Sequence, residues 1–144
     1  MISGRCLCSG VRFEVTGEIG PVVQCHCSMC RRANGTAFAT NAPVHADAFR
    51  IVQGQELITE YESSPGRLRA FCSRCGSPLY SRMPDRPELR RVRLGTLDGD
   101  PGARPVAHIW IGAKAPWDTL PEDGLERFDE APPQPYYTSP GPPR

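Results

Sequence analysis

No stretch of this 144-residue chain is apolar for long enough to span a bilayer, which takes ~20 consecutive residues. Charge of one sign is not in excess either: 17 basic side chains stand against 16 acidic ones. That balance lacks the electrostatic footprint of a protein that binds nucleic acid or an anionic membrane, so neither partner is expected. The opening residues MISGRCLCSG have neither the charged nor the apolar region of a secretory signal, and a reducing cytoplasm is the expected location. Sustained helical periodicity is scarce, and no internal repeat or interdomain linker stands out. A single domain is expected at this length, with enough chain to bury a modest core.

What the chain does contain is short runs of strand character separated by turns. Val11–Thr16 alternates apolar and polar residues as a half-buried strand does. Similar runs occur at Ala37–Thr40, Phe49–Val52, Leu57–Tyr61, Leu68–Phe71, Leu79–Ser81, Arg91–Leu94 and His108–Ile111. Turn-forming segments such as Ser63-Ser-Pro-Gly punctuate them. Helix is expected only over Ser28–Ala33, as a turn or two capped by Ser28. The reading is a mainly β fold with little helix over residues 1–130. Residues 131–144, rich in proline, form a loose or disordered tail unless the Tyr136-Tyr137 pair docks.

Seven cysteines fall into three tight groups: Cys6-x-Cys8, Cys25-x-Cys27-x2-Cys30 and Cys72-x2-Cys75. Thiols two or three residues apart converge from one turn, as metal ligation requires. In a cytosolic chain such clusters point to metal or redox chemistry before disulfides, and an odd count leaves one thiol unpaired in any disulfide scheme. Seven also divides into four thiolates, which close a tetrahedral structural zinc, and three, which leave a coordination position open. A redox role for Cys72-x2-Cys75 needs the pair to open a helix, whereas FCSRCGSPLYS reads as a turn between strands. An iron–sulfur cluster is a minor alternative, because the Cys-x-Cys spacing is not a usual ferredoxin pattern.

Other polar residues gather around the middle cluster. His26 sits between two cysteines and its ring is expected to point away from their metal. Arg31 and Arg32 follow immediately and could hold a substrate carboxylate, or simply be solvated on a short helix. His108 alternates with Ile109 on an expected strand, which favours a hydrogen-bonded structural histidine over a proton shuttle. Trp110 and Trp117 are expected in the core or a pocket wall, and Asp98 and Asp100 in a turn.

Taken together, GRCLCSGVRFEVTG, QCHCSMCRRANGTAFAT, YESSPGRLRAFCSRCGSPLY and LGTLDGDPGARPVAHIWIGAKAPW resemble the glutathione-dependent formaldehyde-activating enzyme family, also called centromere-protein-V-like. The resemblance runs from about Gly4 to Phe128. It implies an Mss4-like β fold stapled by zinc. It also implies which cysteines belong together: Cys6, Cys8, Cys72 and Cys75 on a structural zinc, and Cys25, Cys27 and Cys30 on a second zinc with a free position. The activity it implies is carbon–sulfur lyase or synthase chemistry, the joining of glutathione or another small thiol to formaldehyde as S-hydroxymethylglutathione. Arg31, Arg32 and His108 are the candidate substrate-binding residues. The competing reading is a zinc-stabilised protein-binding module, which closure of the second site by His26 or another side chain would favour.

Overall fold

Alternation in the sequence becomes strand in the computed structural model, which describes Met1–Arg144. In β2 (Arg12–Val15) Phe13 and Val15 turn inward while Arg12 faces solvent. β2 lies between β1 (Ile2–Arg5) and β5 (Phe49–Gln53) in an antiparallel three-stranded sheet. Glycine makes the close approach inside this sheet possible. A Cβ on Gly4 would stand 2.3 Å from the Phe13 ring, which lies across that position.

The larger sheet has eight strands, in the order β11-β10-β3-β4-β9-β8-β7-β6. In chain order these are β3 (Val22–Cys25), β4 (Ala39–His45), β6 (Ile58–Ser64), β7 (Arg67–Cys72), β8 (Pro78–Met83), β9 (Arg86–Arg93), β10 (Pro105–Ile109) and β11 (Glu126–Arg127). Neighbours from β3 through β6 pair antiparallel, while β10 runs parallel to both β3 and β11. One face of this sheet packs on the small sheet. Val44, Ala70, Tyr80 and Val92 meet Val11, Phe13 and Val15 there in the main core. A second apolar cluster, with Val23, Ala107 and Ile109 at its centre, backs the middle cysteines.

The mainly β expectation is therefore met, with several local corrections. β1 precedes Cys6, a strand in addition to the runs read from the sequence. β4 starts later than the expected run and continues through Pro43, which sits opposite Arg91. The single α-helix, α1 (Ser28–Asn34), is capped by Cys27 and not by Ser28, because the Cys27 sulfur accepts the Cys30 N–H. Gly35, at φ 64°, ends the helix in the left-handed region that favours glycine. The proline-rich end is seated on the domain: Tyr136 packs edge-on against Phe128, and the Arg86 guanidinium donates to the Tyr137 carbonyl at 2.9 Å. Trp117 is 72% exposed, outside both core and pocket, in the irregular segment after buried Ala115. Asp100 does brace a turn, accepting from the Gly102 N–H and from Arg104. No helix is long and apolar enough to cross a membrane.

Candidate functional site: two thiol clusters and an arginine-lined cavity

The first thiol cluster sits where the two sheets meet. Cys6 and Cys8 leave the end of β1, while Cys72 closes β7 and Cys75 occupies the turn into β8. The four sulfurs lie within 4.8 Å of one another, with Cys6 to Cys8 at 3.5 Å and Cys8 to Cys72 at 3.9 Å. Four thiolates ~2.3 Å from a shared zinc would stand ~3.8 Å apart, so the donor set matches that ion. No sulfur pair is bonded at these separations, and all seven cysteines are free. The Val11 N–H donates to the Cys6 sulfur at 3.2 Å, offsetting charge on a thiolate. Burial pushes the Cys72 thiol up to about 11. Burial also opposes ionisation of Cys75, but hydrogen bonding by Ser77 and nearby backbone brings that thiol down to about 5.

The knuckle itself depends on one glycine. Gly76 has φ 77° and donates its N–H to the Cys72 carbonyl at 2.7 Å. Gly76→Ala places a Cβ in open space, so the cost is backbone strain alone, about 1–2 kcal/mol. Thermal melts of the zinc-loaded variant should show a loss of several degrees, and an unchanged midpoint would mean the knuckle relaxes freely.

The second cluster is built at the junction of β3 and α1. Cys25 ends the strand, Cys27 caps the helix and Cys30 lies in its first turn, which brings all three sulfurs within 4.8 Å. The candidate ligands stop at three, Cys25, Cys27 and Cys30. Hydrogen bonds from Cys25 and Cys27 hold the Cys30 thiol far below its ordinary value, against the effect of burial and with help from Arg69. Cys25 moves the opposite way because it keeps the proton in those bonds. The Arg69 guanidinium reaches Cys30 Sγ at 3.7 and 3.8 Å.

His26 is fully buried and turned away from the sulfurs. Its Nε2 lies 3.0 Å from His108 Nδ1, and His108 Nε2 lies 2.7 Å from Asp123 Oδ2. A carboxylate only accepts, so His108 Nε2 carries a hydrogen, and with a neutral His108 ring its Nδ1 accepts from His26 Nε2. The Asp123 carboxyl is held below its usual range by the His108 hydrogen bond. This relay ties the cysteine loop to β10, and His108 has no face on the cavity described next. Both ring nitrogens of His108 are engaged in bracing this loop.

A cavity of about 560 Å³ opens against the second cluster, with Cys25, Cys27 and Cys30 on its wall. Five arginines line it: Arg67, Arg69, Arg86, Arg91 and Arg93. Strand register explains their convergence. Arg69 pairs with Ser81 and Ser81 with Arg91, which puts these side chains in one row on one face of the sheet. Arg93 pairs with Asn41 one step along the same face. No aspartate or glutamate lines the cavity. Arg91 and Arg93 are 8% and 6% exposed, and the Nε of each has no hydrogen-bond partner. Burial lowers both guanidinium pKa values, to about 10 for Arg93.

Arg31 and Arg32 do not join this set. Arg31 donates to the Ala113 carbonyl at 3.2 Å, and Arg32, about 200° around the helix from Cys30, faces solvent. Adjacency to Cys30 in the chain does not bring Arg31 or Arg32 to the cavity wall. The missed arginines did leave a signal, two arginine-x-arginine steps (Arg67-Leu-Arg69 and Arg91-Val-Arg93) with the strand period of two. Trp110 does line the cavity, as expected of a pocket wall, with its backbone at φ 57°.

Comparison with known proteins places this arrangement. The family model described as glutathione-dependent formaldehyde-activating enzyme matches residues 1–113. A Halomonas elongata protein, provisionally named a glutathione-dependent formaldehyde-activating enzyme, is 35% identical over 126 aligned residues, covering 81% of this chain and 79% of the relative. Among solved structures, a crystal structure of a Rhodobacter sphaeroides protein superposes with a TM-score of 0.56 at 26% identity, covering 88% of this chain and 98% of that one. With the cysteine geometry and these matches together, the chain belongs to the glutathione-dependent formaldehyde-activating enzyme family.

Proposed function

We propose that the protein is a zinc-dependent enzyme of carbon–sulfur chemistry that joins glutathione, or a small thiol like it, to formaldehyde. The observation that carries this reading is the arginine-lined cavity opening on a three-thiol cluster whose candidate ligands stop at three. Cys25, Cys27 and Cys30 would hold one zinc, and Cys6, Cys8, Cys72 and Cys75 the other. A zinc held by these three thiolates would supply an open position that favours ionisation of an incoming thiol near neutral pH.

The remaining work belongs to the chain. The arginines meet the carboxylates of the tripeptide in bidentate fashion and so fix where its sulfur lies. Met29, Ile109 and Trp110 form apolar wall and keep water from the reacting carbon. As the sulfur–carbon bond forms, the carbonyl π bond opens, and the thiol's proton ends on the new hydroxyl. No oxidant or reductant is consumed. Most of the acceleration then comes from holding two reactants together. Seven free thiols fit a reducing compartment such as the cytoplasm.

Metal content per chain, measured by mass spectrometry on protein purified without chelator, tests the reading. Wild type should carry two zincs, and Cys30→Ala one, with the fold intact. Glutathione affinity of that variant should drop about tenfold or more, as expected when a ligand position is lost. If Cys30→Ala kept both its metal content and its activity, the proposed chemistry would be wrong.

A further inference from the structure

Residues 131–137 lie C-terminal to the family domain, yet they build a wall of the arginine cavity. Ala131, Gln134 and Tyr137 all line it. The segment is held at several points. Tyr136 stacks edge-on against Phe128 with ring centroids 5.5 Å apart, Arg86 donates to the Tyr137 carbonyl, and Ser139 Oγ donates to the Glu88 carbonyl at 3.3 Å.

Tyr137 makes the contact that matters. Its ring lies under the Arg91 guanidinium, 4.3 Å from carbon to centroid. A cation as buried as Arg91 ordinarily rests against a carboxylate, and here it has an aromatic face instead. Stacking fixes the plane of the guanidinium but uses none of its N–H groups. The Nε is left without a partner, as is that of neighbouring Arg93. Two oriented guanidinium groups, each with its Nε unpaired, in a cavity without carboxylates are prepared for an anion that enters from outside.

We infer that the C-terminal segment is a specificity-determining wall of the substrate cavity, in which Tyr137 positions Arg91 for a carboxylate of a peptide-like anionic ligand. The identity of that ligand as a thiol rests on the function proposed above, whereas the anion recognition does not. Tyr137 is a positioning residue: it acts through Arg91 and touches no reacting atom.

The test is calorimetric titration of the zinc-loaded full chain with two probes, glutathione and S-methylglutathione. The second probe keeps both carboxylates and has no free thiol. Tyr137→Ala should weaken both probes about tenfold, and Tyr137→Phe, which keeps the aromatic face, should restore both to within about twofold. A role in tail docking alone would not separate probe affinity from melting temperature, which is recorded for each variant. If glutathione binds wild type no better than its S-methyl analogue while both weaken in Tyr137→Ala, the thiol chemistry fails and the wall stands. If glutathione binds tightly and Tyr137→Ala leaves it unchanged, the thiol chemistry stands and the wall is overturned. Failure of both probes to bind wild type overturns both.

Discussion

Cys72→Ser is expected to yield no folded protein at 25 °C. Cys72 is 0% exposed and closes β7 in the middle of the main core, with its sulfur directed at those of Cys6, Cys8 and Cys75. A metal held by these four sulfurs would join the end of β1 in the small sheet to the β7–β8 turn of the large one. Few other contacts tie these two turns directly: the Leu7 N–H to the Ser77 hydroxyl at 2.9 Å is the clearest. A structural zinc contributes an apparent 10–16 kcal/mol in small metal-folded domains, roughly the whole net stability of a domain this size, about 5–15 kcal/mol. Losing a buried ligand should therefore remove the fold, and the remaining polar hydroxyl would sit unpaired in the core. Far-UV circular dichroism and soluble yield read the outcome, with Cys30→Ser as the partner variant that stays folded and loses only the second metal. A cooperative melt of Cys72→Ser within a few degrees of wild type would show that packing alone holds the two sheets together.

The part of this architecture that was legible in the sequence is the part that depends on local spacing. Cys25-x-Cys27-x2-Cys30 needs only a strand end and one helical turn to bring its sulfurs together, and both lie within ten residues. Strand alternation around Phe13 and Val15 is equally local. The helix was visible too, but not its cap, because a sulfur accepting the Cys30 N–H competes with the more usual serine at the next position. The cavity was not legible for a different reason. Arg69 and Arg91 become neighbours only through the register of β7 on β8 and of β8 on β9, and no spacing within one segment encodes that pairing. Proline content likewise marked the C-terminal residues as loose, and what seats them is a pair of tyrosines meeting Phe128 and Arg91.

Arg93→Met should make the protein more stable and less able to bind. The guanidinium is 6% exposed, its Nε has no partner, and its one side-chain hydrogen bond runs to the Arg91 carbonyl at 3.2 Å. Burial is the main influence lowering its pKa to about 10, with Arg69 and Arg91 adding repulsion. The Cys30 and Cys25 sulfurs work the other way, but Cys30 also faces Arg69 and Arg91, so one cluster of sulfurs is shared by several cations. Methionine keeps much of the stem volume and removes the charge, so relief of desolvation should outweigh the lost hydrogen bond by about 1–2 kcal/mol. For a chain of this length that is a rise in melting temperature of roughly 3–7 °C. Affinity for glutathione moves in the opposite direction, because a buried fork facing a carboxylate is worth a loss of about 100-fold when truncated. Opposite signs on the two axes are what separate a binding arginine from a structural one. If Arg93→Met melts lower than wild type and binds glutathione equally well, the arginines serve the sheet and not a ligand, and the cavity loses its claim to be the substrate site.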